Sequence, residues 1–245
     1  MTLKRLMIPI GDFLFKWRNQ LFPVITLLAF IAVKPSNTFF GREDLEPLRD
    51  ALAILIMVAG LSLRSLVIGY AYIQRGGLKK KVYASALVTS GLFGVCRNPL
   101  YVGNMLICVS VFVMHGAPVI MIGGPLLFAF IYQSIIYAEE RFLAEKFGAE
   151  YLAYCAEVPR WSLRLSRFGE STEGMRYDLA KALRADYATI LTGVFMLSAV
   201  ELYERLAYPD EAREMVAVLI GLMVFTVVGA IGFHYYKKLT YKPVV

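Results

Sequence analysis

The chain is poor in the residues that most small-domain chemistry relies on. It has three cysteines (Cys96, Cys108, Cys155), none close to another, and two histidines (His115, His234) in 245 residues. That excludes a disulfide scaffold and a Cys/His zinc site, and no metal is expected. Charge is scarce as well: 18% of residues are Asp, Glu, Lys or Arg, against about a quarter in ordinary soluble domains. What fills the space is apolar. Hydrophobic residues make up 58% of the chain, with a mean hydropathy of +0.58. Disorder is excluded, because disordered chains lack these residues. The net charge of +7 could point to nucleic acid. On so apolar a chain it points instead to basic loops against an anionic leaflet, with no nucleic-acid partner. The composition is that of an integral membrane protein whose partners include the membrane lipids.

A span needs about 20 mostly apolar residues. Six segments qualify or come close: Leu21–Val33 (short), Ala51–Ile73, Pro99–Met114, Val119–Ala138, Tyr187–Leu206 and Met215–Tyr236. The expected fold is therefore all-α, a polytopic transmembrane helical bundle of about six spans. Before the first span, LMIPIGDFLFKWR interleaves charges with apolar residues and reads as an interfacial helix. Alternate connections, starting with the N-terminal stretch, carry twenty Lys and Arg against five in the others. That asymmetry predicts that both termini are cytoplasmic. Three regions follow: 1–50 with the interfacial helix and first span, 51–165 as a central core, and 166–245 as an amphipathic linker with two further spans.

Arg64 is the basic residue that falls inside a span. It is either functional or structurally paired, for instance with Glu201. Near the other end of the chain, Glu201 and Arg205 have the spacing of an intrahelical ion pair.

Two polar segments flank the hairpin of the third and fourth spans. The first, Ala86–Asn104, contains Gly91 and Gly94 and then Asn98-Pro99, a favoured helix start. Capping alone accounts for those two residues. Arg97 beside the cap, with Tyr101 and Gly103 on the first turn, also suits an anion or carboxylate site. The second segment, Tyr137–Trp161, places Phe142, Leu143, Phe147, Tyr151 and Tyr154 at helical spacing, with Gly148 as an interruption and Pro159 as a stop. Glu139-Glu140 at its start is either a solvated pair supported by Arg141 and Lys146, or a carboxylate pair that holds a zwitterionic or cationic ligand at the bilayer boundary.

The run T-S-G-L-F-G-V-C-R-N-P-L-Y-V-G-N (Thr89–Asn104), followed by E-E-R-F-L-A-E-K-F-G-A-E-Y-L-A-Y and V-P-R (Glu139–Arg160), resembles the isoprenylcysteine carboxyl methyltransferase and phospholipid methyltransferase superfamily. The likeness spans about Gly76 to Trp161. It implies an S-adenosylmethionine-dependent methyltransferase with a cofactor pocket at the cytoplasmic membrane face and a lipid or isoprenoid-linked acceptor. By position it implies that Arg97, Asn98, Pro99, Tyr101 and Gly103, with backbone from Val88 to Gly91, line the cofactor. Glu139 and Glu140 become the acidic pair near cofactor and acceptor. Many relatives have His at the position of Asn98; Asn keeps the hydrogen bonding but cannot serve as a titrating base.

S-adenosylmethionine carries a carboxylate suited to Arg97, an ammonium suited to Glu139 or Glu140, and a sulfonium suited to the Tyr101 or Phe93 ring. Positioning is the main contribution such a site makes. Glu140 is expected to organise the site and, with an amine acceptor, to take a proton. Prenylcysteine enzymes have an arginine shortly before the acidic pair. Here that stretch is Ser134-Ile135-Ile136-Tyr137, and Arg160 or Arg64 would have to stand in. Two rivals remain: an NADPH-dependent membrane sterol or lipid reductase, and a non-catalytic lipid-binding protein on the same scaffold. Ser162–Asp186 reads as a basic amphipathic stretch on the leaflet, and the last two spans as a dimerisation element, a lid or extra scaffold.

Overall fold

A computed structural model describes residues 3–70, 84–208 and 213–240. Ile73, Arg75, Lys79, Lys80, Lys81 and Lys242, and the start of the family likeness at Gly76, lie outside them. The described residues form helices joined by irregular connections and no strand, with one isolated β-bridge between Phe39 and Arg42. The helices are α1 (Leu3–Ala32), α2 (Glu46–Tyr70), α3 (Pro99–His115), α4 (Pro118–Glu157), the single turn α5 (Phe168–Ser171), α6 (Leu179–Ala207) and α7 (Arg213–Thr240). The polytopic helical bundle expected from composition is present.

Four of the described helical stretches are long and apolar enough to cross a membrane: Glu43–Tyr70, Pro118–Glu157, Leu179–Ala207 and Glu214–Thr240. α3 is apolar but shorter, about 25 Å at 1.5 Å per residue. The expected interfacial helix and first span are one continuous helix, α1, which runs through Pro9 and Pro23. Lys16 and Arg18 interrupt its hydrophobicity but not its backbone, because both residues are good helix formers. The count of six spans thus becomes four long apolar helices with α1 and α3 packed among them.

Neighbours in the bundle follow chain order only in part. α1 packs on α4, α4 on α3, α3 on α2, and α6 returns to cover both α2 and α3. α7 packs on α6 and leaves much apolar surface outside, including Phe225 and Val228. Between apolar helices in lipid, close backbone approach replaces the hydrophobic effect as the source of packing energy, and small residues permit it. Gly60 and Gly103 face each other in this way: a Cβ on Gly103 would lie 3.0 Å from the Gly60 carbonyl and 2.5 Å from Cγ of Arg64. Gly11 lies against the Ser134 carbonyl and holds α1 on α4.

The α3–α4 hairpin turns at Gly116, whose φ of 74° is a left-handed helix stop, and restarts at Pro118. α4 then runs forty residues, with a local break at Gly148 (φ 52°, ψ −122°). The segment read as an amphipathic stretch over 162–186 does not lie free. Its Tyr177 reaches back to α2, bonding Ser65 at 2.6 Å and packing on Gly69 and Tyr70. α6 starts at Leu179, eight residues before its apolar run, capped by the Asp178 side chain.

That early start decides the fate of Arg64. Its guanidinium pairs with both oxygens of Asp186, at 2.8 and 2.5 Å, and also reaches Asn104 and Thr189. The expected partner, Glu201, lies four turns further along α6. Both members of the Arg64–Asp186 pair are about 5% exposed, so the pair is a structural clasp of α2, α3 and α6.

A second charged network closes the opposite end of the bundle. Arg49 holds Glu204 and Asp50, and Arg205 holds Glu201 and Glu46. Glu46, Asp50 and Glu201 offer oxygens within 4.8 Å of one another, a spacing that a metal ion could bridge. Here the guanidinia of Arg49 and Arg205 lie on those carboxylates instead.

Candidate active site

The start of α3 and the middle of α4 meet at one end of the bundle, and the loop after α4 folds back over them. Arg97, just before α3, donates its backbone N–H to the Pro159 carbonyl at 2.9 Å. Asn98 does not cap α3 with its side chain. Its Nδ2 donates to the Arg160 carbonyl at 3.1 Å. The helix-start reading therefore holds for Pro99, which is buried as the first residue of α3, but the Asn98 side chain ties the two motif halves together. Cys96 Sγ also contacts the Arg160 carbonyl at 3.4 Å, and burial pushes its thiol pKa up.

Glu140 is buried between two guanidinia. One oxygen accepts from Arg160 Nε at 2.7 Å and lies 3.1 Å from Arg97; the other accepts from Arg160 at 2.9 Å. The carboxylate holds the Arg160 pKa above its ordinary value. Arg97 also donates to Cys155 Sγ at 2.8 Å. Both Glu140 oxygens are thus occupied within the protein. The residue is a clamp on Arg97 and Arg160, not a free carboxylate for an ammonium.

Glu139, one residue earlier, points to a different neighbourhood. Its Oε1 accepts the Tyr101 hydroxyl at 2.8 Å, and the Tyr101 ring lies 5.3 Å from that of Tyr132. The adjacent carboxylates therefore have different surroundings, because neighbouring helix positions lie 100° apart.

The remaining expected cofactor residues divide. Gly91 is buried with φ 63° and accepts the Ser171 hydroxyl, so its backbone is both unusual and engaged. Val88 is half-buried in the irregular segment before it. Gly103 faces α2, packed on Gly60 and Arg64, and has no room for a ligand: its smallness serves helix contact. Arg64, considered as a stand-in cation, is spent on Asp186.

Several site residues were not singled out from sequence. Gln133 accepts from Trp161 Nε1 at 2.7 Å, which pins the loop after α4. Arg160 also lies over the Tyr137 ring at 5.3 Å. Gln133 is a lone amide inside an apolar span and Trp161 one of two tryptophans, signals that were available. Three buried nitrogens in this region have no hydrogen-bond partner among the described residues: Arg97 Nε, Gln133 Nε2 and Arg18 Nη1. Buried orphan donors are uncommon and costly, and a ligand with acceptor oxygens is one explanation for them.

A helical membrane bundle that gathers paired carboxylates, guanidinia and unpartnered N–H donors at one end defines the class: a membrane protein with a built polar site. Comparison with known proteins finds likeness to one family and to two curated relatives. Residues 49–150 match the phospholipid methyltransferase family, a stretch that is less than half of the chain. Among curated proteins it is similar to the cobalt-zinc-cadmium resistance protein CzcN of Cupriavidus metallidurans, 39% identical over 89 residues, 36% of this chain and 41% of that protein. It is also similar to the nickel-cobalt-cadmium resistance protein NccN of Alcaligenes xylosoxydans xylosoxydans, 26% identical over 197 residues, 79% of this chain and 87% of that one. The matched stretch thus spans less than half the length of the first relative. No solved structure matches the chain.

Proposed function

We propose that this protein is an S-adenosylmethionine-dependent methyltransferase acting on a lipid or isoprenoid-linked acceptor at the membrane face where α3 begins, the cytoplasmic face by the charge asymmetry. The observation that carries the reading is the buried, unpartnered Nε of Arg97, held by Glu140 beside the first turn of α3. A guanidinium fixed on one side and open on the other suits a ligand carboxylate. The donor set fits S-adenosylmethionine: Arg97 and Gln133 for its carboxylate, Glu139 for its ammonium, the rings of Tyr101 and Tyr132 for its sulfonium.

When bound, that cofactor supplies an electrophilic methyl group. The chain's own residues do the rest by position. Glu140 holds Arg97 and Arg160 and so fixes the loop after α4 over the start of α3. Asn98 fixes the same loop by its bond to the Arg160 carbonyl. Glu139, steadied by Tyr101, holds the ammonium and so aims the methyl group at the acceptor. The apolar helices around the site keep water out, which favours a reaction that neutralises charge.

Calorimetry of the purified protein with S-adenosylmethionine and with NADPH tests the cofactor, and labelled methyl donor with total membrane lipid identifies the product. Saturable S-adenosylmethionine binding, weakened by Arg97→Gln, is expected. Binding of NADPH instead would make it a reductase, and binding of neither would leave a non-catalytic scaffold.

A further inference from the structure

α1 lies wholly outside the matched residues 49–150, yet it delivers a charge to the site. Arg18 lies half-buried on α1, its guanidinium stacked 4.0 Å above the Phe15 ring. Four residues on, Phe22 packs edge-on against Phe128 and Tyr132 at 5.1 and 5.5 Å, which fixes the register of α1 on α4 at this level. Tyr132 lies 5.3 Å from the Tyr101 ring, whose hydroxyl donates to Glu139, so Arg18 stands about one helical turn along α1 from the contact that joins α1 to this cluster. Its Nη1 is buried and has no acceptor among the described residues.

The other guanidinia nearby are committed, Arg97 and Arg160 to Glu140 and Arg64 to Asp186. Arg97 keeps a buried Nε with no partner among the described residues, but it stands just before α3, whereas Arg18 approaches from α1, whose outer face is apolar and exposed at Phe13, Val24 and Leu27. A ligand that reaches Arg18 therefore comes along the bilayer side, polar end inward. We propose that Arg18 is the specificity-determining residue for the methyl acceptor and binds an anionic group on a lipid-tailed molecule, a carboxylate or a phosphate, next to Glu139 and Tyr101. The assignment rests on the methyltransferase reading for what happens to that ligand, but binding itself does not.

The protein in nonionic detergent is titrated with dodecanoate, dodecyl phosphate and dodecyltrimethylammonium. The readout is tryptophan fluorescence, since Trp17 and Trp161 are the two tryptophans. At least one anion should bind about ten-fold tighter to the wild type than to Arg18→Gln, the scale of a charge-assisted hydrogen bond, with Arg18→Lys in between. Dodecyltrimethylammonium binding should not fall in Arg18→Gln. A preference for dodecyl phosphate supports a phosphate headgroup, and one for dodecanoate a carboxylate. Equal anion binding by wild type and Arg18→Gln, or no anion preference in the wild type, overturns the proposal. Calorimetry with S-adenosylmethionine runs in parallel. Normal cofactor binding by Arg18→Gln places any lost anion affinity on the acceptor side, whereas a wild type that binds no cofactor refutes the methyltransferase reading and leaves the anion result standing.

Discussion

Replacing Glu140 by Gln should loosen the clamp over the start of α3, and the structure sets how much. The Glu140 side chain is 8% exposed, Arg97 12% and Arg160 32%. Two unit charges about 4 Å apart attract by about 4 kcal/mol at an effective dielectric of 20. Desolvation consumes much of that, so the pair contributes less in net terms than it costs to break. Removing one partner of a buried pair leaves an uncompensated charge, at about 3–5 kcal/mol. The loss here falls mainly on Arg97, because Arg160 can turn to water and its share must be discounted for screening. Glu140→Gln should therefore destabilise the protein by about 3 kcal/mol. Double-mutant cycles in mixed micelles should give a coupling of about 2 kcal/mol between Glu140 and Arg97 and about half that between Glu140 and Arg160. The same cycles read by S-adenosylmethionine affinity should rank the two couplings in the same order. Equal couplings, or a Glu140→Gln protein with unchanged stability and cofactor affinity, would refute the view of Glu140 as a clamp.

The Arg64–Asp186 clasp is more deeply buried, and Asp186→Asn should cost about 3–5 kcal/mol in detergent unfolding, with Arg64→Met/Asp186→Leu recovering much of it. Gly103→Ala should cost about 1–3 kcal/mol by pressing a methyl on Gly60 and Arg64, while Gly123→Ala, whose Cβ meets nothing, should be neutral by the same assay. Tyr101→Phe should leave the fold intact but lower turnover by removing the hydroxyl that steadies Glu139; unchanged turnover would remove Glu139 from the chemistry. Burial keeps Cys96 protonated at neutral pH, so maleimide labelling of the folded protein at pH 7–8 should spare it until detergent denaturation.

The sequence by itself determined that this is a helical membrane protein, because hydrophobic runs and the spacing of charges follow from the bilayer's thickness and need no knowledge of packing. It also brought forward the two motif halves, whose residues Arg97, Asn98, Glu139, Glu140 and Arg160 do converge at one end of the bundle. What it left open was each charge's partner. Arg64 pairs with Asp186 and not Glu201 because α6 begins two turns before its apolar run does, and hydropathy does not report helix that extends into polar sequence. Gly103 belongs to a helix contact and not to a pocket because its direction depends on how α3 is rotated against α2. The adjacent glutamates read as one pair, yet a rotation of 100° sends Glu140 to the guanidinia and Glu139 to Tyr101. Arg18 ends the stretch that hydropathy assigns to an interfacial helix, yet α1 is continuous and packs on α4. Partners of this kind are fixed by register and rotation between elements distant in the chain, and only the assembled bundle sets those.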